Sequence, residues 1–198
     1  DSLGNSGVLG AGSIQWMTAG SGIIHQEMPE GDEHGRMHGF QLWANLPREL
    51  KMTDPRYQDV PSTEVAMRSE DDGTIIRVLC GEYQGINGPV DGIAAAPRYL
   101  DITVPPGTTK SFRMDVEARA FAYIFEGDGR FRGASEKQGV PYEVADDVIA
   151  IKPVDVDNRS IVIFDSGDEI RVTAGESGLR FLLVSGRPIR EPVAWYGP

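Results

Sequence analysis

In the run Gly22-Ile23-Ile24-His25-Gln26-Glu27-Met28, an imidazole and a carboxylate stand two residues apart among apolar neighbours. On an extended strand, alternation sends His25 and Glu27 to one face and Gln26 to the other. Such a pair has two chemical readings. The two groups can hydrogen-bond to each other on a sheet face and do nothing more, or they can share one metal ion. Neutral imidazole nitrogen and carboxylate oxygen suit divalent iron, manganese, nickel or zinc, and two-histidine-one-carboxylate sets with open positions serve non-haem iron oxygenases. A catalytic metal needs at least about three protein donors, so the chain's other histidines matter. His34 lies in the polar loop Glu30-Gly31-Asp32-Glu33-His34-Gly35-Arg36 and reads as solvated. His38 opens His38-Gly39-Phe40-Gln41-Leu42-Trp43 and reads as a core or supporting residue that can approach the same face. Cys80, the one cysteine, sits in Val78-Leu79-Cys80 and reads as a small buried hydrophobe. A single thiol excludes an internal disulfide and a CxxC zinc site, and fits a reducing compartment.

The elements that must position these groups are short apolar runs broken by the chain's 24 glycines and 13 prolines, the texture of an all-β protein with many hairpins. Expected strands are Ile14–Ala19, Ile23–Met28, Gly39–Leu46, Ile75–Leu79, Tyr99–Val104, Phe121–Phe125, Val148–Ile151, Ile161–Phe164, Glu169–Thr173 and Leu179–Val184. Their spacing suggests a sandwich or barrel. Leu46–Pro61, rich in proline and in charges such as Arg48, Asp54 and Asp59, reads as a linker, with a domain boundary near residue 60. Gly129–Asp157, bearing Glu136, Lys137, Glu143, Asp146 and Asp147, reads as a peripheral hairpin and loop excursion.

An internal echo points to a duplicated unit. Gly12, Thr18, Ala19 and Gly20 recur at the same spacing as Gly167, Thr173, Ala174 and Gly175. All three histidines lie in the first copy; after the second the chain runs apolar through Leu179, Phe181, Leu182 and Leu183, so if one copy carries chemistry it is the first. Lys and Arg total 19 against 30 Asp and Glu, a net charge of −11, which disfavours direct contact with nucleic acid. No apolar run approaches the ~18 residues of a membrane span, and Asp1-Ser2-Leu3-Gly4-Asn5 does not read as a signal peptide.

Longer motifs carry a family resemblance. Gln15-Trp16-Met17-Thr18-Ala19-Gly20-Ser21-Gly22-Ile23-Ile24-His25-Gln26-Glu27-Met28-Pro29, then His38–Pro47, then Pro55-Arg56-Tyr57-Gln58, resemble the pirin family. Tyr99-Leu100-Asp101, Phe181–Val193 and Tyr196-Gly197-Pro198 agree in texture, so the resemblance spans nearly the whole chain. It implies a cupin-superfamily bicupin: two cupin-type antiparallel β-barrels, an N-terminal one over residues 1–60 that is incomplete in this chain, and a C-terminal one over 61–198 without a metal site. It also implies one Fe(II), or another divalent metal, held by three histidines and a glutamate. His25 and Glu27 match two of those ligands, and Glu27 is the candidate for a second role, as proton acceptor, since a ligating carboxylate can also take a proton. The other two, from a His-Pro-His-Arg-Gly segment, are expected upstream of residue 1, as if the chain were trimmed at both ends. The implied activity is a quercetin 2,3-dioxygenase-type opening of a flavonol ring with dioxygen; a planar substrate calls for an apolar wall, and Trp16, Met17, Phe40 and Trp43 on the adjacent segments read either as part of it or as ordinary barrel core. The alternatives are a metal-dependent regulator acting on a protein partner and a metal-free bicupin scaffold. The expected location is the cytoplasm, or the nucleus in a eukaryote, with neither nucleic acid nor membrane as a direct partner.

Overall fold

The structure, a computed structural model, describes residues 1–133, 142–144, 147–149 and 158–192. The chain forms two compact units, one from Asp1–Glu64 with Ile189–Pro198 and one from Val65–Pro188.

In the first unit, β1 (Ile14–Thr18) pairs antiparallel with β2 (Arg56–Val60), Ile14 facing Val60 and Thr18 facing Arg56. The stretch expected to be a linker therefore contains a strand. Its charges did not prevent pairing because Arg56 and Asp59 are exposed, and Asp59 accepts a hydrogen bond from Gln15 Nε2 across the ladder at 2.8 Å. After β1 the chain reverses at Gly20, whose φ is +54°. A Cβ there would lie 2.0 Å from the Thr53 carbonyl oxygen, so glycine is required where Ser21 N–H donates to that oxygen at 2.8 Å. A 3-10 turn at Arg48–Leu50 is fixed by the Glu191 carboxylate, which accepts from Arg48 N–H at 2.8 and 3.0 Å. Ile23–Met28 and Gly39–Leu46, expected as strands, belong to no ladder. A strand needs a continuous run of paired backbone groups, and Ile23–Met28 is held instead by the two hydrogen bonds between Ile24 and Ser2.

The second unit holds β3 (Ala66–Ser69), β4 (Ile75–Cys80), β5 (Glu82–Tyr83), β6 (Ile86–Asn87), β7 (Arg98–Val104), β8 (Thr109–Arg113), β9 (Arg119–Phe131), β10 (Tyr142–Val144), β11 (Asp147–Ile149), β12 (Ser160–Phe164) and β13 (Glu169–Gly186). Its main sheet runs β12-β9-β13-β7-β4-β3, with β8 added beside the first half of β13. All these pairings are antiparallel, and among the described residues the path has two ends, β12 and β3, and does not close into a ring. The pairs β5–β6 and β10–β11 stand apart from it. The expected excursion thus keeps Gly129–Phe131 inside β9 and contains the β10–β11 pair; the rest of it lies outside the described residues.

Two runs expected as separate strands, Glu169–Thr173 and Leu179–Val184, are one 18-residue strand. Their inward residues change parity, from Ile170, Val172 and Ala174 to Leu179, Phe181 and Leu183, and the ladder slips between Ala174 and Leu179. This is a β-bulge bend. β9 bends at the matching point, Gly127, whose φ is +73°. A Cβ on Gly127 would stand 2.0 Å from the carbonyl oxygen of Gly178, itself at φ +79°. The bend turns the two halves of the sheet face to face: Phe181 packs edge-on against Phe112 at 6.0 Å and Phe131 at 5.7 Å. Ile76, Val78, Leu100, Ile102, Val104, Ala122, Ile124 and Leu183 complete this fully buried core.

Polar clamps hold its rim. Buried Asp101 on β7 accepts two hydrogen bonds from Arg180 on β13, at 3.0 and 2.8 Å, and one from Arg77 on β4 at 3.1 Å. The β3–β4 turn is tied to β8 by Lys110, which binds Glu70 and, at 2.8 Å, Asp72. Cys80 is buried, as expected, and burial pushes its thiol up. The echoed segments do not share a conformation: Thr18 ends β1 and Gly20 is left-handed, whereas Thr173-Ala174 continue inside β13.

Candidate metal centre

His25 and Glu27 lie on an irregular segment outside any ladder, tied to the first residues of the chain. The Asp1 carboxylate accepts from Leu3 and Asn5 N–H, both at 2.9 Å, which folds Asp1–Asn5 into a tight loop. That loop presents Ser2, whose N–H donates to the Ile24 carbonyl at 2.7 Å while its Oγ accepts from Ile24 N–H at 3.1 Å. Ile24 is thus gripped on both backbone groups, one residue before His25.

His25 Nδ1 stands 3.8 Å from Glu27 Oε1, with the side chains 35% and 58% exposed. That is too long for a hydrogen bond. The pair is two neighbouring donors that leave each other's lone pairs free. An ion about 2.1 Å from each donor, at the right or tetrahedral angle usual for such sites, would need them ~3.0–3.4 Å apart. The two exposed side chains reach that by moving a few tenths of an ångström. Gln41 Nε2 donates to both oxygens of Glu27, at 3.3 and 3.4 Å, and orients the carboxylate from the segment that also carries His38. The donor chemistry and spacing therefore fit two positions of a divalent-metal site. They do not fill it: among the described residues no group of three or more His, Cys, Asp and Glu side chains surrounds a common point.

The remaining histidines stay out of this pair. His34 Nε2 faces Glu33 at 3.6 Å in a loop organised by Asp32, which accepts from the N–H groups of His34 and Arg36 and twice from the Arg36 guanidinium. The Arg36 side chain, then its N–H, hold the Asp32 carboxyl below its usual range. His38 packs edge-on against Phe40 at 5.1 Å. Of the aromatic wall suggested by sequence, Trp16 and Met17 are half-buried on β1, while Phe40 and Trp43 are exposed, Trp43 by 87%. Sequence reading missed Ser2 and Gln41. No motif marks Ser2, and Gln41 had a signal only in sitting on the segment expected beside His25.

Comparison with known proteins extends the site's context. Residues 1–44 match the family model Pirin and residues 99–198 match Pirin C-terminal cupin domain. A pirin-like protein of Caulobacter vibrioides is 40% identical over 199 residues, an alignment that takes in 100% of this chain and 64% of that relative. The structure of GK1651 from Geobacillus kaustophilus superposes with a TM-score of 0.72 at 33% identity, over 93% of this chain and 67% of the other. A quercetin 2,3-dioxygenase from Acinetobacter baumannii superposes with a TM-score of 0.77 at 27% identity, over 100% of this chain and 63% of the other. The chain thus has the all-β cupin fold, and spans less than two thirds of the length of the curated relative described. Among the described residues no helix is long and apolar enough to cross a membrane.

Proposed function

The chain belongs to the pirin family, and from that premise we propose that it forms part of an iron-dependent oxidoreductase of the quercetin 2,3-dioxygenase type, opening the central ring of a flavonol with dioxygen. The observation that carries this reading is the pair of neighbouring donor atoms, His25 Nδ1 and Glu27 Oε1, 3.8 Å apart and anchored through Ser2 and Gln41. In a protein of the relatives' full length, residues 1–60 supply this half of the centre, the family's His-x-His pair completes it, and residues 61–198 form the metal-free cupin.

When bound, a divalent iron supplies exchangeable positions where a substrate hydroxyl loses its proton more readily. His25 contributes a neutral imidazole lone pair, which requires the ring to be deprotonated. Glu27 has two oxygens and can use one as a ligand while the other accepts the flavonol hydroxyl proton. The Gln41 amide keeps that second oxygen aimed by donating to both. Phe40 and Trp43, exposed beside Gln41 in sequence, provide the apolar surface that a planar substrate needs.

The test is elemental analysis for iron and the loss of flavonol absorbance under oxygen, on a protein of the relatives' full length. Wild type is expected to hold about one iron per chain, as one open site requires. His25→Ala and Glu27→Ala each lose both iron and turnover, and His34→Ala loses neither. Iron retained in His25→Ala overturns the ligand assignment. Iron held by wild type without any flavonol consumption overturns the reaction and moves the regulatory reading ahead.

A further inference from the structure

The half-sheet made of β8, the start of β13 and the end of β9 sends Phe112, Ile170, Val172 and Phe131 into the core. Residues directly opposite in an antiparallel pair share a face, so the register fixes what lies on the outside. Arg113 stands beside Glu169, Ser111 beside Arg171, and Thr109, Thr173 and Arg130 form one row. Arg132 extends the middle row, its N–H donating to the Arg171 carbonyl at 2.8 Å. Arg113, Arg130, Arg132 and Arg171 are all exposed, and none is ion-paired among the described residues. Glu169 is the one carboxylate in these rows, in a chain where acidic groups outnumber basic ones by 30 to 19. Neighbouring positions are ~4.8 Å apart across strands and ~6.8 Å along them. That is inside a Debye length of ~8–10 Å, so the four guanidiniums act as one field. A cleft of about 340 Å³ opens beside them, lined by Arg132, Gly133, Phe164, Glu169, Ile170 and Arg171.

We propose that this face docks an acidic segment of a partner polypeptide, its carboxylates on the arginines and an apolar side chain in the cleft against Phe164. Guanidinium forks match carboxylates in pairs of parallel hydrogen bonds. The charge count favours a polypeptide over nucleic acid. A duplex-binding face typically neutralises ~6–10 phosphates, whereas four cations are gathered here on a chain of net charge −11 that repels a long polyanion. The cleft adds an apolar floor for which a sugar–phosphate backbone has no matching group.

The experiment is fluorescence anisotropy of the full chain with a labelled Glu-Glu-Leu-Glu-Glu peptide at low ionic strength, beside its Gln-for-Glu counterpart and a short DNA duplex. The acidic peptide is expected to bind and to be released by added salt, and the Gln peptide and duplex to bind far more weakly. Arg130→Glu combined with Arg171→Glu weakens the peptide at least about tenfold, in the range seen when charge pairs at interfaces are broken. Arg187→Glu, whose guanidinium pairs with Asp115 outside these rows, leaves binding unchanged. If thermal melts show the double variant misfolded, Arg132→Gln alone must still weaken binding. Absence of peptide binding, equal loss in Arg187→Glu, equal binding of the Gln peptide, or tighter binding of the duplex would each overturn the proposal.

Discussion

The two units hold themselves together by different means. The first carries all three histidines, and among its described residues only Val60 is a buried hydrophobe. Its histidine-bearing segment is tied to the chain start by two hydrogen bonds, from Ser2 N–H to the Ile24 carbonyl and from Ile24 N–H to Ser2 Oγ. The second draws one contiguous core from β4, β5, β7, β8, β9 and β13 and locks its rim with ion pairs. Residues that must admit a ligand belong in the less stable part of a protein, because a packed interior cannot yield the few tenths of an ångström that ligand capture asks for. On the proposed metal-binding reading, the two candidate donors lie where such movement costs little.

Substitutions can break that contrast. Phe181→Ala in the second unit removes the ring on which both halves of the bent sheet close, and is expected to cost about 3–5 kcal/mol in urea unfolding followed by circular dichroism. A loss below about 1 kcal/mol, the range of a tolerated core change, would show that the bend is held by its backbone alone. A smaller, pH-selective effect is expected at Asp72, whose carboxyl is lowered to about 2 by Lys110 and by Thr74 N–H. A folded pKa below the ordinary 3.8 gives stability that is present above that value and is lost as pH falls through about 2. Asp72→Asn should therefore melt below wild type at neutral pH, and the gap should close between pH 4 and about 2. A gap independent of pH would mean that Lys110 does not use this carboxylate. The least effect is expected in the first unit: His25→Ala and Glu27→Ala should change stability by no more than ~0.5 kcal/mol, the usual range for exposed positions. A loss of several times that would make the pair a structural bond and erase the contrast.

The strands legible in sequence were those whose alternation ends at a turn. β1, β4, β7 and β12 match their expected runs within one residue at each end. β2 and β8 escaped because Arg-Tyr-Gln-Asp-Val and Thr-Lys-Ser-Phe-Arg carry too few apolar residues to show a period; their partners across the ladder supply what their sequence lacks. β13 was split in two because a bulge reverses inside and outside without ending the strand. At the candidate centre, spacing alone brought His25 and Glu27 together, and they do lie together, though by an anchored loop and not by a strand. Ser2 and Gln41 were illegible because contacts across 22 and 14 residues leave no local pattern.

One edge of the second unit's sheet bears on how the protein behaves in concentrated solution. β12, Ser-Ile-Val-Ile-Phe, pairs with β9 on one side, and among the described residues no strand covers its other edge. Ile161 and Ile163 are 54% and 79% exposed on it. An uncharged, proline-free, β-branched edge is a template for strand addition and fibrillar stacking. At neutral pH the net charge of −11 keeps copies apart. Near the sequence isoelectric point of about 4.7 that repulsion is gone, and precipitation there should begin at this strand, with Ile163→Lys the substitution that keeps the protein clear.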